Sequence, residues 1–183
     1  MNTAPRDPST ETLDIVDEND RVIARAPRSE VHGNPALLHR VVHVLVFNSS
    51  GQLFLQKRGE DRPVQPGKWD TSMGGHVDAG ERPEEAARRE LSEELGIPSS
   101  IRLTLLHKYR HSNAFESELV TTWTALWDGE FHLQKSEISR GRFWDLKEID
   151  LLSATPENPG PFTPNFLDEL RRWREAGSPL PSA

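Results

Sequence analysis

The stretch Gly74–Ile97, GGHVDAGERPEEAARRELSEELGI, contains a helix whose two ends are marked in the sequence itself. Pro83 suits the first helical position, where its missing N–H costs no hydrogen bond. Gly96 is a natural C-terminal stop, because glycine readily adopts the left-handed conformation found there. Alanines and leucines between these two residues supply an apolar side. The pattern therefore predicts a helix over Pro83–Leu95.

Three glutamates of this predicted helix crowd one of its faces. Glu90 and Glu94 are one turn apart and Glu93 lies beside Glu94, so the carboxylates share an arc of roughly 100°. Like charges at this spacing destabilise an isolated helix by roughly a few tenths of a kcal/mol per pair. Arg89 alone cannot neutralise all three. The spacing fits either a solvated acidic face or a site for a hard divalent cation, Mg²⁺ or Mn²⁺.

Composition excludes several classes of function. The chain has 183 residues, a formal net charge of −7 and no cysteine, so it has no disulfide, thiolate nucleophile or cysteine-based zinc site. Its negative charge argues against nucleic acid as the main partner. It shows neither a secretory signal nor an apolar run long enough to span a bilayer. We therefore expect a cytoplasmic protein that acts on a small molecule, with no membrane partner.

Strand patterns surround the helix in the sequence. RVVHVLVF (Arg40–Phe47) is apolar and β-branched, as a buried central strand should be, and Gln52–Arg58 would follow it in a hairpin. Leu13–Ala26 predicts an N-terminal hairpin around the turn DEND. Further strands are expected at 102–109, 119–127 and 142–144, and a second helix over Asn165–Ala176. Strands mixed with two helices predict an α/β or α+β protein with a mixed sheet.

A single domain accounts for most of the chain. We expect it to cover residues 11–176, between a polar, disordered tail at 1–10 and a short tail at 177–183. The N-terminal hairpin offers an edge at which a second copy could pair, so a homodimer is an open alternative to a monomer.

Read from Gly75, the quoted stretch follows G-x5-E-x7-R-E-L-x-E-E-x-G-I at every defined position. This pattern resembles the Nudix box, the signature of a superfamily of hydrolases. The resemblance implies an α/β fold, a Nudix-type α/β/α sandwich with a mixed central β-sheet, to which this chain adds its N-terminal β-hairpin. It also implies a metal-dependent hydrolase that cleaves a pyrophosphate linkage in a nucleoside diphosphate derivative or another organic diphosphate.

The same resemblance assigns roles to individual residues. The implied ligands of Mg²⁺ or Mn²⁺ are Glu90, Glu93, Glu94 and the carbonyl of Gly74. Glu81 would support this catalytic site, and Arg89 would orient the carboxylates through an ion pair. The resemblance leaves open which glutamate acts as the general base.

A second group of polar residues lies outside the helix. EVHGNPALLHR contains His32 and His39, His76 falls inside the box, and FESEL contains Glu116 and Glu118. Each alone is more simply a surface or core residue. Together they resemble type I isopentenyl diphosphate isomerase, a Nudix relative that holds a metal with three histidines and two carboxylates. The similarity runs over roughly residues 12–170 and implies a metal site at these five positions.

One departure from the isomerase decides against its reaction. The isomerase carries a catalytic cysteine at the position of Gly74, and glycine supplies neither an acid nor a base. A hydrolase is therefore the main hypothesis. Two alternatives remain: an isopentenyl diphosphate isomerase-like enzyme, and a non-catalytic diphosphate-binding module, which would have no need of a complete glutamate set. Candidate phosphate contacts are Lys57, Arg58, Arg62 and Lys68.

Overall fold

The structure, a computed structural model, describes residues 10–61, 64–136, 138–153 and 160–181. The strands in these ranges are β1 (Thr12–Val16), β2 (Val22–Pro27), β3 (Leu38–Phe47), β4 (Leu53–Arg58), β5 (Trp69–Asp70), β6 (Met73–His76), β7 (Thr104–Ser112), β8 (Ser117–Leu126) and β9 (Ile138–Trp144). The helices are α1 (Arg28–Val31), α2 (Pro83–Leu95), α3 (Leu146–Leu152) and α4 (Pro164–Glu175).

Strand β3 is the centre of a mixed sheet. It runs parallel to β8 over its whole length, from the pair Leu38–Ser117 to the pair Phe47–Leu126. On its other edge it pairs antiparallel with β6, and it meets β1 and β4 near its two ends. Strands β5 and β9 flank β4, and β7 flanks β8. The predicted mixed α/β fold with a mixed sheet is therefore confirmed.

Alternation along β3 places a helix on each face of the sheet. Val42, Val44 and Val46 point to one face and pack with the apolar residues of α2. Leu45 and Phe47 point to the opposite face and pack with the apolar residues of α4. The result is a three-layer arrangement with the sheet between the two helices.

Helix α2 has the bounds that its sequence predicts. Pro83 occupies the first turn, and the chain before it closes a capping box between Arg82 and Glu85. At the other end Gly96 has φ 70°, the left-handed conformation that stops the helix. The buried residues of α2 include Leu91, which lies against the sheet. These local signals fixed both ends correctly.

Four short elements were not predicted: α1, α3, β5 and β6. Strand β6 has the sequence MGGH, which carries little strand propensity, and it is ordered by pairing with β3. Helix α3 did carry a local signal, since the Asp145 side chain accepts from the backbone N–H of Lys147. The strand expected from residue 102 begins at Thr104.

The predicted tails are only partly within the described residues. The disordered tail predicted for 1–10 falls outside them except for Thr10, and so do residues 182 and 183. Across the ranges given above, no helix is both long enough and apolar enough to cross a membrane.

Candidate active site

Two adjacent glycines of β6 allow side chains to approach this strand from both faces of the sheet. A Cβ on Gly75 would lie 2.5 Å from Cγ and 2.6 Å from Cδ of Glu90. A Cβ on Gly74 would lie 3.2 Å from Cδ2 and 3.4 Å from Nε2 of His43. Because neighbouring residues of a strand point to opposite faces, the Glu90 carboxyl and the His43 imidazole lie on opposite sides of β6.

Arg89 gathers several carboxylates around one guanidinium group. Its Nε and Nη2 each donate to Glu81 at 2.9 Å, in a two-pronged contact. Its Nη1 donates to Glu90 at 2.6 Å and to Glu93 at 3.4 Å. Nη2 also donates to the backbone carbonyl of His76 at 3.1 Å, which ties α2 to β6. The carboxylates of Glu81, Glu90 and Glu93 thus share the positive charge of Arg89.

The glutamates of α2 line a cavity of ≈ 100 Å³ between the helix and β6. Its wall contains Glu90, Glu93 and Glu94, and the backbone of Gly74 and Gly75 faces them. The carboxylates and the glycine carbonyl predicted from the sequence as metal ligands therefore border one space.

Burial makes the negative charge of Glu90 costly. Its pKa is raised to about 7 by burial and by the charge of Glu93, although Arg89 acts in the opposite direction. Burial opposes the charge of Arg89 as well, but its hydrogen bonds to Glu81 and Glu90 raise the pKa of the guanidinium. Among the described residues that line the cavity, four glutamates, Glu11, Glu90, Glu93 and Glu94, outnumber two arginines, Arg28 and Arg89.

The three predicted histidines form a second cluster beside this cavity. The ring centroids of His32 and His76 are 5.0 Å apart, those of His39 and His76 are 5.5 Å apart, and those of His32 and His39 are 6.3 Å apart. Nε2 of His32 lies 3.0 Å from Nε2 of His76. His39 is fully buried, and its Nε2 has no hydrogen-bond partner among the described residues.

Burial favours the neutral form of the three histidines. Burial, together with the nearby positive charge of Arg28, lowers the pKa of His32 and His39 and lowers that of His76 further. A metal-binding imidazole must be neutral, so this state suits the predicted role.

The two predicted acids of the FESEL segment, Glu116 and Glu118, have different neighbours. The charge of Glu116 acts on His32 and His39. Glu118 lies with His43 in a second pocket, and burial together with the charge of Glu116 raises its pKa to about 7. Within the described ranges, no group of three or more histidine, aspartate or glutamate side chains is placed to hold a metal ion as these side chains stand.

The second pocket opens on the α4 side of β6 and has a volume of ≈ 170 Å³. It shares Gly74, Gly75 and His76 with the first cavity, so β6 forms part of the wall of both spaces. Of the predicted phosphate contacts, Arg58 lines this pocket and donates to Asp70 at 3.1 Å. Arg62 lies outside the described residues.

Sequence reasoning missed a buried carboxylate next to the second pocket. Glu169 of α4 is fully buried and accepts three hydrogen bonds: from Nδ1 of His43 at 3.0 Å, Nε2 of His107 at 2.7 Å and the hydroxyl of Tyr109 at 2.7 Å. Burial alone would raise the pKa of Glu169, but the hydrogen bonds from His107 and His43 hold it well below its usual range. No local pattern in the sequence indicated this network, because its members lie far apart in the chain.

Comparison with known proteins gives consistent matches over this architecture. The family model described as NUDIX domain matches residues 37–166. A Nudix hydrolase of Pseudomonas aeruginosa is 35% identical over 171 residues, which cover 91% of this chain and 95% of that protein. The Nudix hydrolase YfcD of Shigella flexneri is 36% identical over 170 residues, which cover 90% and 87%.

Solved structures show the same fold. The crystal structure of DR0079 from Deinococcus radiodurans matches with a TM-score of 0.70 and 30% identity, over 88% of this chain and 98% of that one. The NUDIX domain of Shewanella oneidensis NrtR, solved in complex with ADP ribose, matches with a TM-score of 0.58 over 74% of this chain and 86% of that one. At 21% identity the second match supports the fold alone.

Proposed function

The chain belongs to the Nudix family and is a Nudix hydrolase, and from this premise we propose that it cleaves the pyrophosphate linkage of a nucleoside diphosphate derivative or another organic diphosphate with the help of Mg²⁺ or Mn²⁺. Nudix hydrolases generally need a divalent cation, so the proposal turns on whether the residues present suit one.

The observation that carries the proposal is the excess of carboxylates in the first cavity. Among the described residues, Glu90, Glu93 and Glu94 line it, whereas Arg89 is shared with Glu81 and Arg28 is paired with Glu11. Carboxylate and carbonyl oxygens are the donors that Mg²⁺ and Mn²⁺ take in proteins, and a dication would offset the surplus negative charge. The donor set therefore fits the cation in chemistry and in place, although the side chains would have to turn from Arg89 to bind it.

The proposed roles distinguish the residues that hold the cation from the residues that orient them. The cation would be held by Glu90, Glu93, Glu94 and the carbonyl of Gly74. When bound, it supplies charge neutralisation of the diphosphate and activation of the attacking water. Arg89, fixed by Glu81 and by the His76 carbonyl, keeps the carboxylates of α2 turned toward β6. One of the three glutamates accepts the proton of the attacking water, as a general base does.

The histidine cluster is proposed as a second metal site. The proposal is supported by the close approach of the three rings of His32, His39 and His76 and by the buried Nε2 of His39, which lacks a hydrogen-bond partner among the residues described. Glu116 would complete it, and Glu118 would join only after its side chain turns from the second pocket. Imidazole nitrogens favour a transition metal over Mg²⁺.

A homodimer is proposed through β2. This strand is an outer strand of the sheet and pairs with β1, and its residue Ile23 is 65% exposed. An outer strand with exposed apolar side chains is a ready template for pairing with a second chain. Light scattering of the purified protein should give twice the monomer mass, and the monomer mass would contradict the proposal.

The test of the hydrolase function is a metal-dependent hydrolysis screen. Purified protein is incubated with Mg²⁺ or Mn²⁺ and one candidate substrate at a time. The candidates are nucleoside triphosphates, ADP-ribose and other nucleotide sugars, dinucleoside polyphosphates, coenzyme derivatives and isopentenyl diphosphate. The products are separated by chromatography. Glu94→Gln runs in parallel. Glu84→Gln is the matched control, because Glu84 lies on the same helix but pairs with Arg88 on its exposed side.

We expect metal-dependent cleavage that Glu94→Gln abolishes and Glu84→Gln retains. Cleavage that persists in Glu94→Gln, or that a chelator does not stop, would contradict the proposed site. If no diphosphate is cut while isopentenyl diphosphate takes up deuterium from D₂O, the hydrolase proposal is wrong and the isomerase-like alternative replaces it.

A further inference from the structure

His43 lines the second pocket and lies against Gly74, a residue that also lines the first cavity. Its ring edge lies against Gly74, and its side chain, which is 14% exposed, forms part of the wall of the second pocket. Its Nδ1 is 3.0 Å from a carboxylate oxygen of Glu169. Among the described residues, no hydrogen bond engages its Nε2. Nδ1 of His43 is thus hydrogen-bonded within the protein, and Nε2 can contact a molecule bound in the pocket.

Glu169 fixes which nitrogen faces the pocket. An ionised carboxylate only accepts hydrogen bonds, so Nδ1 of His43 must carry the proton that bridges to it. His107 and Tyr109 donate to the same carboxylate, which therefore cannot rotate without losing further bonds. His43 is held in one orientation and in one tautomer by a group that itself lies outside the pocket.

We propose that His43 contacts the organic moiety of the diphosphate substrate through Nε2, and that Glu169 acts through His43 as a positioning residue. The inference rests on the proposed function and adds two residues to its machinery that lie outside the Nudix box. Burial lowers the pKa of His43, but the hydrogen bond and the charge of Glu169 outweigh this effect and raise it overall.

The other walls of the second pocket indicate the chemistry of that moiety. Gln56 and Asn165 offer amide groups, and Glu118 offers a carboxyl group. Burying these groups against a hydrocarbon would leave them without partners, at an appreciable cost for each. The moiety is therefore one that carries hydroxyl, amide or ring-nitrogen groups, rather than an isoprenoid chain.

Two substitutions of the same residue separate the proposed role from a purely structural one. In His43→Asn the side-chain amide can still reach Glu169 from the place of Nδ1, but the pocket-facing nitrogen is gone. In His43→Gln the longer amide can reach the place of Nε2, but the bond to Glu169 is lost. Asp150→Asn is the control, because Asp150 forms a surface ion pair with Arg174 of α4 and has no contact with Glu169.

The kinetic readout uses the compound that wild-type protein hydrolyses fastest in the screen described above. We expect His43→Asn to raise KM about tenfold, the size of one lost hydrogen bond, with kcat within about twofold of wild type. Glu169→Gln should raise KM by less, and Asp150→Asn should leave it unchanged. A wild-type KM in His43→Asn together with a raised KM in His43→Gln would overturn the proposal.

A spectroscopic readout keeps the inference testable without turnover. Long-range ¹H–¹⁵N correlation of wild-type protein, with His43 assigned by its loss in His43→Asn, should show Nδ1 protonated, and Glu169→Gln should change that signal. A ring protonated at Nε2 alone would overturn the positioning role of Glu169. Absence of hydrolysis in the wild type would instead defeat the proposed function, and the two failures are therefore distinguishable.

Discussion

The two faces of the central sheet handle buried charge in opposite ways. On the α2 face, Glu81, Glu90 and Glu93 share the one guanidinium of Arg89. On the α4 face, a single carboxylate, that of Glu169, accepts hydrogen bonds from three donors. Among the described residues, the first cluster has three carboxylates around one guanidinium group. The second has one carboxylate with three hydrogen-bond donors.

This difference separates a cluster with surplus negative charge from one whose carboxylate is fully hydrogen-bonded. Carboxylates crowded together raise the free energy of the folded chain unless a further cation joins them. A buried carboxylate with three donors needs nothing more and holds its neighbours in place. The same residue type, glutamate, thus has a proposed binding role on one face and a proposed positioning role on the other.

The largest expected effect breaks the acidic cluster. Glu90→Gln should lower kcat on the order of 10³-fold, an effect as large as the loss of a general acid or base. It should not lower the stability of the metal-free protein, because it removes a charge that burial disfavours. Steady-state hydrolysis and thermal melts in a chelator measure the two quantities. A parallel fall in activity and melting temperature would show that Glu90 is structural.

The next effect breaks the complete cluster. Glu169→Ala leaves three donors without their acceptor, and we expect it to lower the free energy of unfolding by about 3 kcal/mol. Asp168→Ala is the control, since Asp168 forms ion pairs at the surface, where the expected loss is about 1 kcal/mol or less. Urea denaturation measures both. Equal losses in the two variants would remove the distinction between the faces.

A smaller effect sharpens the account of Arg89. Lysine keeps the charge but lacks the planar guanidinium group. In Arg89, two nitrogens of that group donate to Glu81 and the third donates to Glu90. We expect Arg89→Lys to weaken the apparent affinity for Mg²⁺ about 10- to 100-fold, as lost support of metal ligands does, with activity recovering at high Mg²⁺. Arg88→Lys should behave as wild type. Activity that no Mg²⁺ concentration restores would give Arg89 a direct part in the reaction.

The smallest effect concerns pH. The pKa of Glu169 lies well below its unfolded value, so the stability it contributes is present above that unfolded value of about 4.3 and is lost as the pH falls toward its folded pKa. Wild-type protein should therefore lose stability between about pH 5 and pH 3 more steeply than Glu169→Gln. Denaturation at a series of pH values compares the slopes. Parallel slopes would mean that other acids control acid unfolding.

The acidic face could be predicted from the sequence because its signals are local. Pro83 and Gly96 mark the ends of α2, and the residues between them carry the box at a fixed spacing. The N-terminal hairpin and the strands around the helix were also predictable, since alternation and turn residues act over a few positions. What these residues bind remains a proposal.

The α4 face could not be predicted for a physical reason. His43 and Glu169 are 126 residues apart, and Glu169 is 62 residues from His107. They meet only because β3 and β7 lie under α4 in the folded sheet. In the sequence, a glutamate within an amphipathic helix is most simply a solvated residue. The three donors around Glu169 compensate for the burial of its carboxylate. The sequence does not indicate these donors, because they are brought together only by the fold.

The full-length parallel pairing of β3 with β8 also constrains how the protein is made. A ribosome delivers β3, whose apolar strand ends at Phe47, long before β8 is complete at Leu126. During that interval one edge of a very apolar strand lacks its neighbour, a condition that favours aggregation in nascent chains. We therefore expect the nascent chain to be most prone to aggregation between the synthesis of β3 and that of β8. It also means that a chain truncated before residue 117 cannot assemble either pocket.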